Sequence, residues 1–151
     1  MRITEIDLEI GDIEWYALDE YGRVARFTSG GSSAVPEYVC ESIEELEFIC
    51  DFFRDNKTDK STLAVFTYAA AKYPDENFRN ECQLLSSKGL YVFDFSGEMD
   101  DLDTYILISR PEKSTTISNL PLDIQIRMKK FKIEGADFDK DSIIRVESAY
   151  K

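Results

Sequence analysis

The sequence predicts one α+β domain, an antiparallel sheet built from hairpins with about three helices packed on one side. Three observations point there. The chain has 151 residues, the length of a single domain. Short aromatic and β-branched runs bounded by glycine turns share it with amphipathic stretches of helical period. A hydrophobic fraction of 43%, with 13% aromatics, supplies a core that disordered chains lack. No repeat, low-complexity segment or interdomain linker interrupts residues 1–151.

Ile13–Asp19 and Arg23–Thr28 read as a β-hairpin, because Gly22 can take the positive φ that the intervening turn needs. Ser29-Gly30-Gly31-Ser32-Ser33 follows as a loop ending near Pro36. It lacks the lysine and the adjoining helix start of a phosphate loop, so it reads as a connection.

Ser42 opens the clearest helix. Ser42-Ile43-Glu44-Glu45 fits a capping box, and the helix should run to about Asp55. Ile43, Leu46, Ile49, Cys50 and Phe53 share one face, which should enter the core. Phe48 and Phe52 fall on the other side, beside Glu41, Glu44, Asp51 and Asp55. Two readings compete for that pair: core aromatics covered by another element, or an exposed hot spot inside an acidic rim.

Asp59–Tyr73 is expected as a second helix, favoured by Ala69-Ala70-Ala71 and ended by Pro74. A strand over Leu63–Tyr68 is the competing assignment, since short apolar runs are ambiguous. A third helix should span Asp75–Ser87, with Phe78, Cys82 and Leu85 on one face and Gly89 as terminator. Leu90–Phe95 and Thr104–Ser109 form a hairpin around Gly97. Leu122, Ile124, Ile126 and Met128 alternate at period two and so predict a strand, although Pro121 also suits the start of a short helix. Ser142–Ser148 should be the last strand.

Thirty acidic and 18 basic residues give a net charge of −12. Residues 1–60 carry 15 acidic and 6 basic residues, a balance of −9; residues 61–151 carry 15 and 12, a balance of −3. Nucleic acid is a poor partner for such a surface, whereas a basic protein would be steered to its N-terminal part. Arg127, Lys129, Lys130 and Lys132 make a local basic stretch around Phe131. It is expected to pair with the chain's own carboxylates or stay solvated, or else to meet an acidic patch on another copy.

The longest apolar stretch, Leu63–Ala71, falls far short of the roughly 20 residues that span a bilayer. The first ten residues carry acids where a signal peptide has its apolar core, so a cytoplasmic location is expected. Cys40, Cys50 and Cys82 fit reduced thiols there.

Chemical motifs are sparse. The chain has no histidine, which excludes Ser-His-Asp and Cys-His arrangements. Asp137, Asp139 and Asp141 spell the opening of a calcium loop. Ser142 then stands where the turn glycine belongs and Ser148 where the bidentate glutamate belongs, so a polar turn is expected. Glu98, Asp100, Asp101 and Asp103 have no regular spacing and read as a solvated hairpin tip. No metal or cofactor is implied, and no two of the carboxylates stand out as a catalytic pair.

One further pattern runs through the chain. It comprises Asp12-Ile13-Glu14-Trp15-Tyr16-Ala17-Leu18-Asp19, then Gly22-Arg23-Val24-Ala25-Arg26-Phe27-Thr28-Ser29-Gly30-Gly31, then Val35-Pro36-Glu37. It resembles immunity proteins of bacterial polymorphic toxin systems and related small bacterial proteins. Lys88-Gly89-Leu90-Tyr91-Val92-Phe93-Asp94 and Leu120-Pro121 are similar to that group too. The resemblance implies a cytoplasmic inhibitor that covers a delivered toxin, and it transfers neither catalytic nor partner-binding residues.

The combined expectation is a non-enzymatic protein-binding domain for a basic toxin, with no cofactor and with neither nucleic acid nor membrane as partner. Tyr16, Glu41, Glu44, Phe48, Asp51, Phe52 and Asp55 are the candidate contacts, while Trp15 is assigned to the core. Two alternatives remain: a small carboxylate-based enzyme or ligand-binding domain, which a deep acidic pocket would favour, and a self-associating structural domain.

Overall fold

The computed structural model describes residues 1–55, 62–97 and 103–150. Helix α1 (Glu5–Ile10) starts at a reciprocal cap between Thr4 and Asp7. Strands β1 (Glu14–Leu18) and β2 (Val24–Thr28) form the expected hairpin, with Trp15 opposite Phe27 and Tyr16 opposite Arg26. Asp19 organises its turn. One carboxylate oxygen accepts from the Tyr21 and Arg23 amides, each at 2.9 Å. The other accepts from the Phe138 amide at 2.9 Å and from the Arg23 guanidinium at 3.3 Å. The turn is thereby tied to the far end of the chain through a carboxylate only 1% exposed.

After α2 (Glu37–Cys40), helix α3 (Ile43–Arg54) begins where the capping sequence placed it, the Ser42 hydroxyl accepting from the Glu45 amide at 3.2 Å. Leu46, Ile49, Cys50 and Phe53 are buried, and Ile43 packs half-buried against the same core.

The helix expected over Asp59–Tyr73 is not formed. Asp59–Ser61 lie outside the described residues. The remainder is β3 (Ala64–Phe66) followed by a 3-10 turn at Tyr68–Lys72, so the competing strand assignment holds for its central part. The reason is tertiary. β3 pairs antiparallel with β5 (Thr104–Pro111), and Thr67 donates its amide to the Ile108 carbonyl and its hydroxyl to the Leu107 carbonyl, at 2.9 and 2.6 Å. These bonds outweigh the helix propensity of three alanines.

Helix α4 (Glu76–Ser87) starts at an Asp75 cap. Gly89 ends it with φ +95°, and a Cβ there would lie 2.3 Å from the Thr115 hydroxyl. Only glycine meets both demands. Strand β4 (Tyr91–Phe95) then pairs antiparallel with β5, as expected.

Leu122–Met128 is helix α5, not the strand that period-two alternation suggested; the start signal of Pro121 decides. Residues two apart also contain i, i+4 pairs. Ile124 and Met128 are buried on one side, and Leu122 and Ile126 are exposed on the other. The last strand shortens to β6 (Ile143–Arg145) on β5. The chain then turns along the 33–35 loop, where the Ala149 amide donates to the Val35 carbonyl at 2.9 Å.

The fold is mixed α+β, with strand order β1-β2-β4-β5-β3 and β6 also on β5. Pairing is largely antiparallel, and the β2–β4 contact that joins the two hairpins is parallel. No helix among the described residues is long and apolar enough to cross a membrane.

One sheet face is aromatic. Trp15 stacks on Phe27 at 4.3 Å and Phe27 on Phe93 at 5.0 Å, with Tyr105 edge-on and Phe138 closing the cluster. On the other face Tyr16 stacks on Phe53 of α3 at 4.5 Å. Helix α3 lies over β1, and α4 lies over β3, β4 and β5. Strand β2 is left beneath the gap between them.

Asp19→Ala is expected to lower the unfolding free energy by about 3 kcal/mol, because it leaves the buried Phe138 amide and the half-buried Tyr21 and Arg23 amides without their acceptor. Asp19→Asn should also destabilise, since an amide nitrogen cannot accept from Phe138. Urea unfolding followed by tryptophan fluorescence checks both.

Candidate functional site

The gap between α3 and α4 is a cleft of about 760 Å³. Strand register builds its floor in two rows. Glu14, Thr28 and Asp94 are direct cross-strand neighbours on β1, β2 and β4, and in the next row Arg26 reaches the cleft between the fully buried Tyr16 and Val92. Helix α3 supplies Leu46, Glu47, Cys50 and Arg54, and α4 supplies Phe78 and Glu81 with Asp75 at its cap. Asp7 and Asp12 close the N-terminal end. Seven carboxylates against two guanidinium groups leave a formal charge of −5 on the lining.

Arg26 is the unusual member. Its side chain is 2% exposed, and one terminal nitrogen donates to Glu81, whose own side chain is 52% exposed. Nε and the other terminal nitrogen, Nη2, have no hydrogen-bond partner. Burial opposes the charge, but attraction from Glu81, Tyr16 and Glu14 outweighs it and the guanidinium stays a cation. A buried donor left unpaired costs about 1–3 kcal/mol.

Glu14 ties the floor to α3. One carboxylate oxygen accepts from Arg54 at 2.5 Å and the other from the Tyr16 hydroxyl at 2.7 Å. Tyr16 is pushed well above the usual phenol range by burial and then by Glu14. Burial also raises Asp94 above its ordinary 3.8, although hydrogen bonds from Thr28 and Tyr73 pull it back in part. The three thiols are buried and unpaired, and burial pushes Cys40 up to about 11 and Cys50 and Cys82 up to about 12. Such thiols are poor nucleophiles near neutrality.

The contacts expected from sequence are scattered. Tyr16 is fully buried under Phe53. Phe52 is 8% exposed and packs edge-on against Phe53, whereas Phe48 is 40% exposed beneath the Arg127 guanidinium, 3.8 Å from its ring centre. The aromatic pair is therefore split between core and surface. Glu41 pairs with Lys130 at 3.2 Å, Glu44 with the N-terminal ammonium at 2.6 Å, and Asp51 lies 3.7 Å from Arg54. Asp55 caps the exposed end of α3.

The basic stretch is absorbed as one expectation had it. Arg127 meets Glu45 at 2.8 Å, Lys130 meets Glu41, and Lys132 meets Glu20 at 3.3 Å, while Phe131 is buried. The 127–132 segment therefore covers the outer flank of α3, and the cleft opens on the opposite flank.

The Asp137–Asp141 segment is a hydrogen-bonded turn. Asp137 accepts from the Asp139 amide and from Arg23, Asp141 accepts from the Asp137 amide, and Asp139 accepts from the Tyr91 hydroxyl. Glu98, Asp100 and Asp101 lie outside the described residues. Among the described residues no three metal-ligating side chains converge.

Sequence reading missed Arg26, Asp94, Glu81 and Tyr73 as a group. Only Arg26 carried a local signal, a charge in the middle of a strand whose neighbours Ala25 and Phe27 are apolar. The chain matches no protein-family model, no curated protein and no solved structure.

Asp94 yields a pH prediction. Its folded value lies above the unfolded 3.8, so between the two the native state holds more protons and stability falls as pH rises. Asp94→Asn keeps an acceptor for Thr28. It is expected to remove that part of the pH dependence and to leave stability at pH 7 unchanged or higher. Urea unfolding from pH 3 to 7 on both proteins checks this.

Proposed function

We propose that this protein is a non-catalytic binding domain of the immunity type, acting in the cytoplasm, which neutralises a basic toxin by seating a cationic segment in the cleft between α3 and α4. The observation that carries the reading is the cleft itself, which is open, about 760 Å³ in volume and lined by seven carboxylates. The charge balance of residues 1–60 extends the same field over the surrounding surface. A field of this kind raises the association rate of an oppositely charged partner by roughly 10–1000-fold at low salt. The buried thiols and the absence of histidine supply no activated nucleophile, which favours obstruction over chemistry.

The resemblance in the Asp12–Glu37 region supports the toxin-directed reading. Self-association through the 127–132 stretch loses much of its driving force, because three of its four cations, Arg127, Lys130 and Lys132, already meet carboxylates of their own chain.

A second reading has one observation of its own. Asp94 sits in the cleft with its proton affinity raised, beside Thr28 and Tyr73, as a carboxylate of a small-ligand site or an acid catalyst would. A small cationic compound that competes with the protein partner, or turns over, would move the weight there.

The test looks for a basic toxin-like protein encoded beside this one and uses it as the partner. The reading expects a one-to-one complex whose affinity falls at least tenfold between 50 and 300 mM salt. Glu47 is exposed on the cleft wall, and Glu47→Lys should slow association several-fold with little change in stability. The absence of such a neighbour, or a complex indifferent to salt and to Glu47→Lys, overturns it.

A further inference from the structure

We infer that the floor of the cleft contains an anion subsite at Arg26, which grips a carboxylate of the bound segment while the surrounding acids hold its cationic groups. The inference rests on the proposed use of the cleft and names the chemistry of its occupant, a peptide segment carrying an acidic group close to lysine or arginine.

The geometry of the guanidinium is the first argument. Nε and Nη2 are the two nitrogens of one edge, the fork that binds a carboxylate through two parallel bonds. Both are closed off from water and both lack a partner, although the side chain lines the cleft. A sheet built for stability alone would place an apolar residue here, since the flanking Tyr16 and Val92 are fully buried. The position instead holds a guanidinium that is 2% exposed and lines the cleft.

The second argument is the nature of its one partner. Glu81 reaches Arg26 from α4 and is 52% exposed. With half of its side chain already in solvent it can leave Arg26 at small packing cost, so it stands in for the carboxylate of a ligand and competes with it. A half-exposed ion pair is a weak competitor.

The third argument is charge order. The carboxylates of Glu14, Asp94 and Asp12 lie on the floor and at one end of the cleft, near the guanidinium yet separate from it. An occupant with an anionic and a cationic group satisfies both, whereas a purely anionic one meets repulsion. The cleft volume of about 760 Å³ admits several residues of peptide.

The probes are N-acetyl-L-arginine, which carries one guanidinium and one carboxylate, and N-acetyl-L-argininamide, which lacks the carboxylate. The readout is the Nε–H cross-peak of Arg26 in proton–nitrogen spectra, together with the backbone amides of Thr28 and Gly30. N-acetyl-L-arginine should move the Arg26 cross-peak, and the amide should move only the backbone signals. Glu81→Gln removes the internal competitor and should tighten N-acetyl-L-arginine about three- to fivefold, the worth of such an ion pair, with no gain for the amide. An Arg26 cross-peak indifferent to N-acetyl-L-arginine in both proteins, or equal affinities for the two probes, overturns the subsite. Loss of all response to the amide counts against the acidic cleft as a cation site, and is read separately from the Arg26 signal.

Discussion

Strand β2 is buried on both faces, and the rest of the molecule is arranged around that constraint. Val24, Ala25, Arg26 and Phe27 are all covered. On one side Phe27 anchors the aromatic stack that holds Trp15, Phe93 and Tyr105 together. On the other side the same strand presents a guanidinium. Two helices could have closed over an apolar residue there, but a charge demands a counter-charge and room. Helices α3 and α4 stand apart over β2, and Glu81 reaches in from the edge. The cleft follows from the cost of burying Arg26.

Charge is distributed on the same logic. The outer flank of α3 is acidic, and the 127–132 segment meets it through Arg127 to Glu45 and, just before the helix, Lys130 to Glu41, while Arg127 covers Phe48. The C-terminal turn of α3 is held by Lys88, which donates to the Phe53 carbonyl at 2.9 Å and brings a cation to the negative end of the helix. On the cleft flank most acids also serve the fold, Asp7 and Asp75 as helix caps, Glu14 with Arg54 and Tyr16, and Glu81 with Arg26, while Glu47 stands exposed on the wall. The proposed binding of a basic segment uses the excess of seven carboxylates over two guanidinium groups.

Some parts of this arrangement were legible from residues alone. The Ser42 cap located α3, the shared face of Phe78, Cys82 and Leu85 located α4, and Gly22 and Gly89 marked turns, since each of these signals acts within a few residues. Other parts were not. Ala69–Ala71 favours helix, yet the free edge of β5 drew the preceding residues into a strand. Leu122–Met128 fits a strand by alternation and became a helix, because no strand edge pairs with it and Pro121 starts the turn. Helical face alone selects the candidate contacts on α3, and it carries no information that α5 and Lys130 lie against that face.

By itself the sequence determined the α+β class, the first hairpin, the capped start of α3, the core-facing sides of the helices that carry Cys50 and Cys82, and the acidic balance of the N-terminal part. Each depends on composition or on neighbours close along the chain. The parallel pairing of β2 with β4, the row of Glu14, Thr28 and Asp94, and the meeting of Arg26 with Glu81 were decided only by tertiary structure. These residues are separated by up to 80 positions, from Glu14 to Asp94. Strand register, not local preference, brings them to one floor, and register is set by which faces the whole chain can bury.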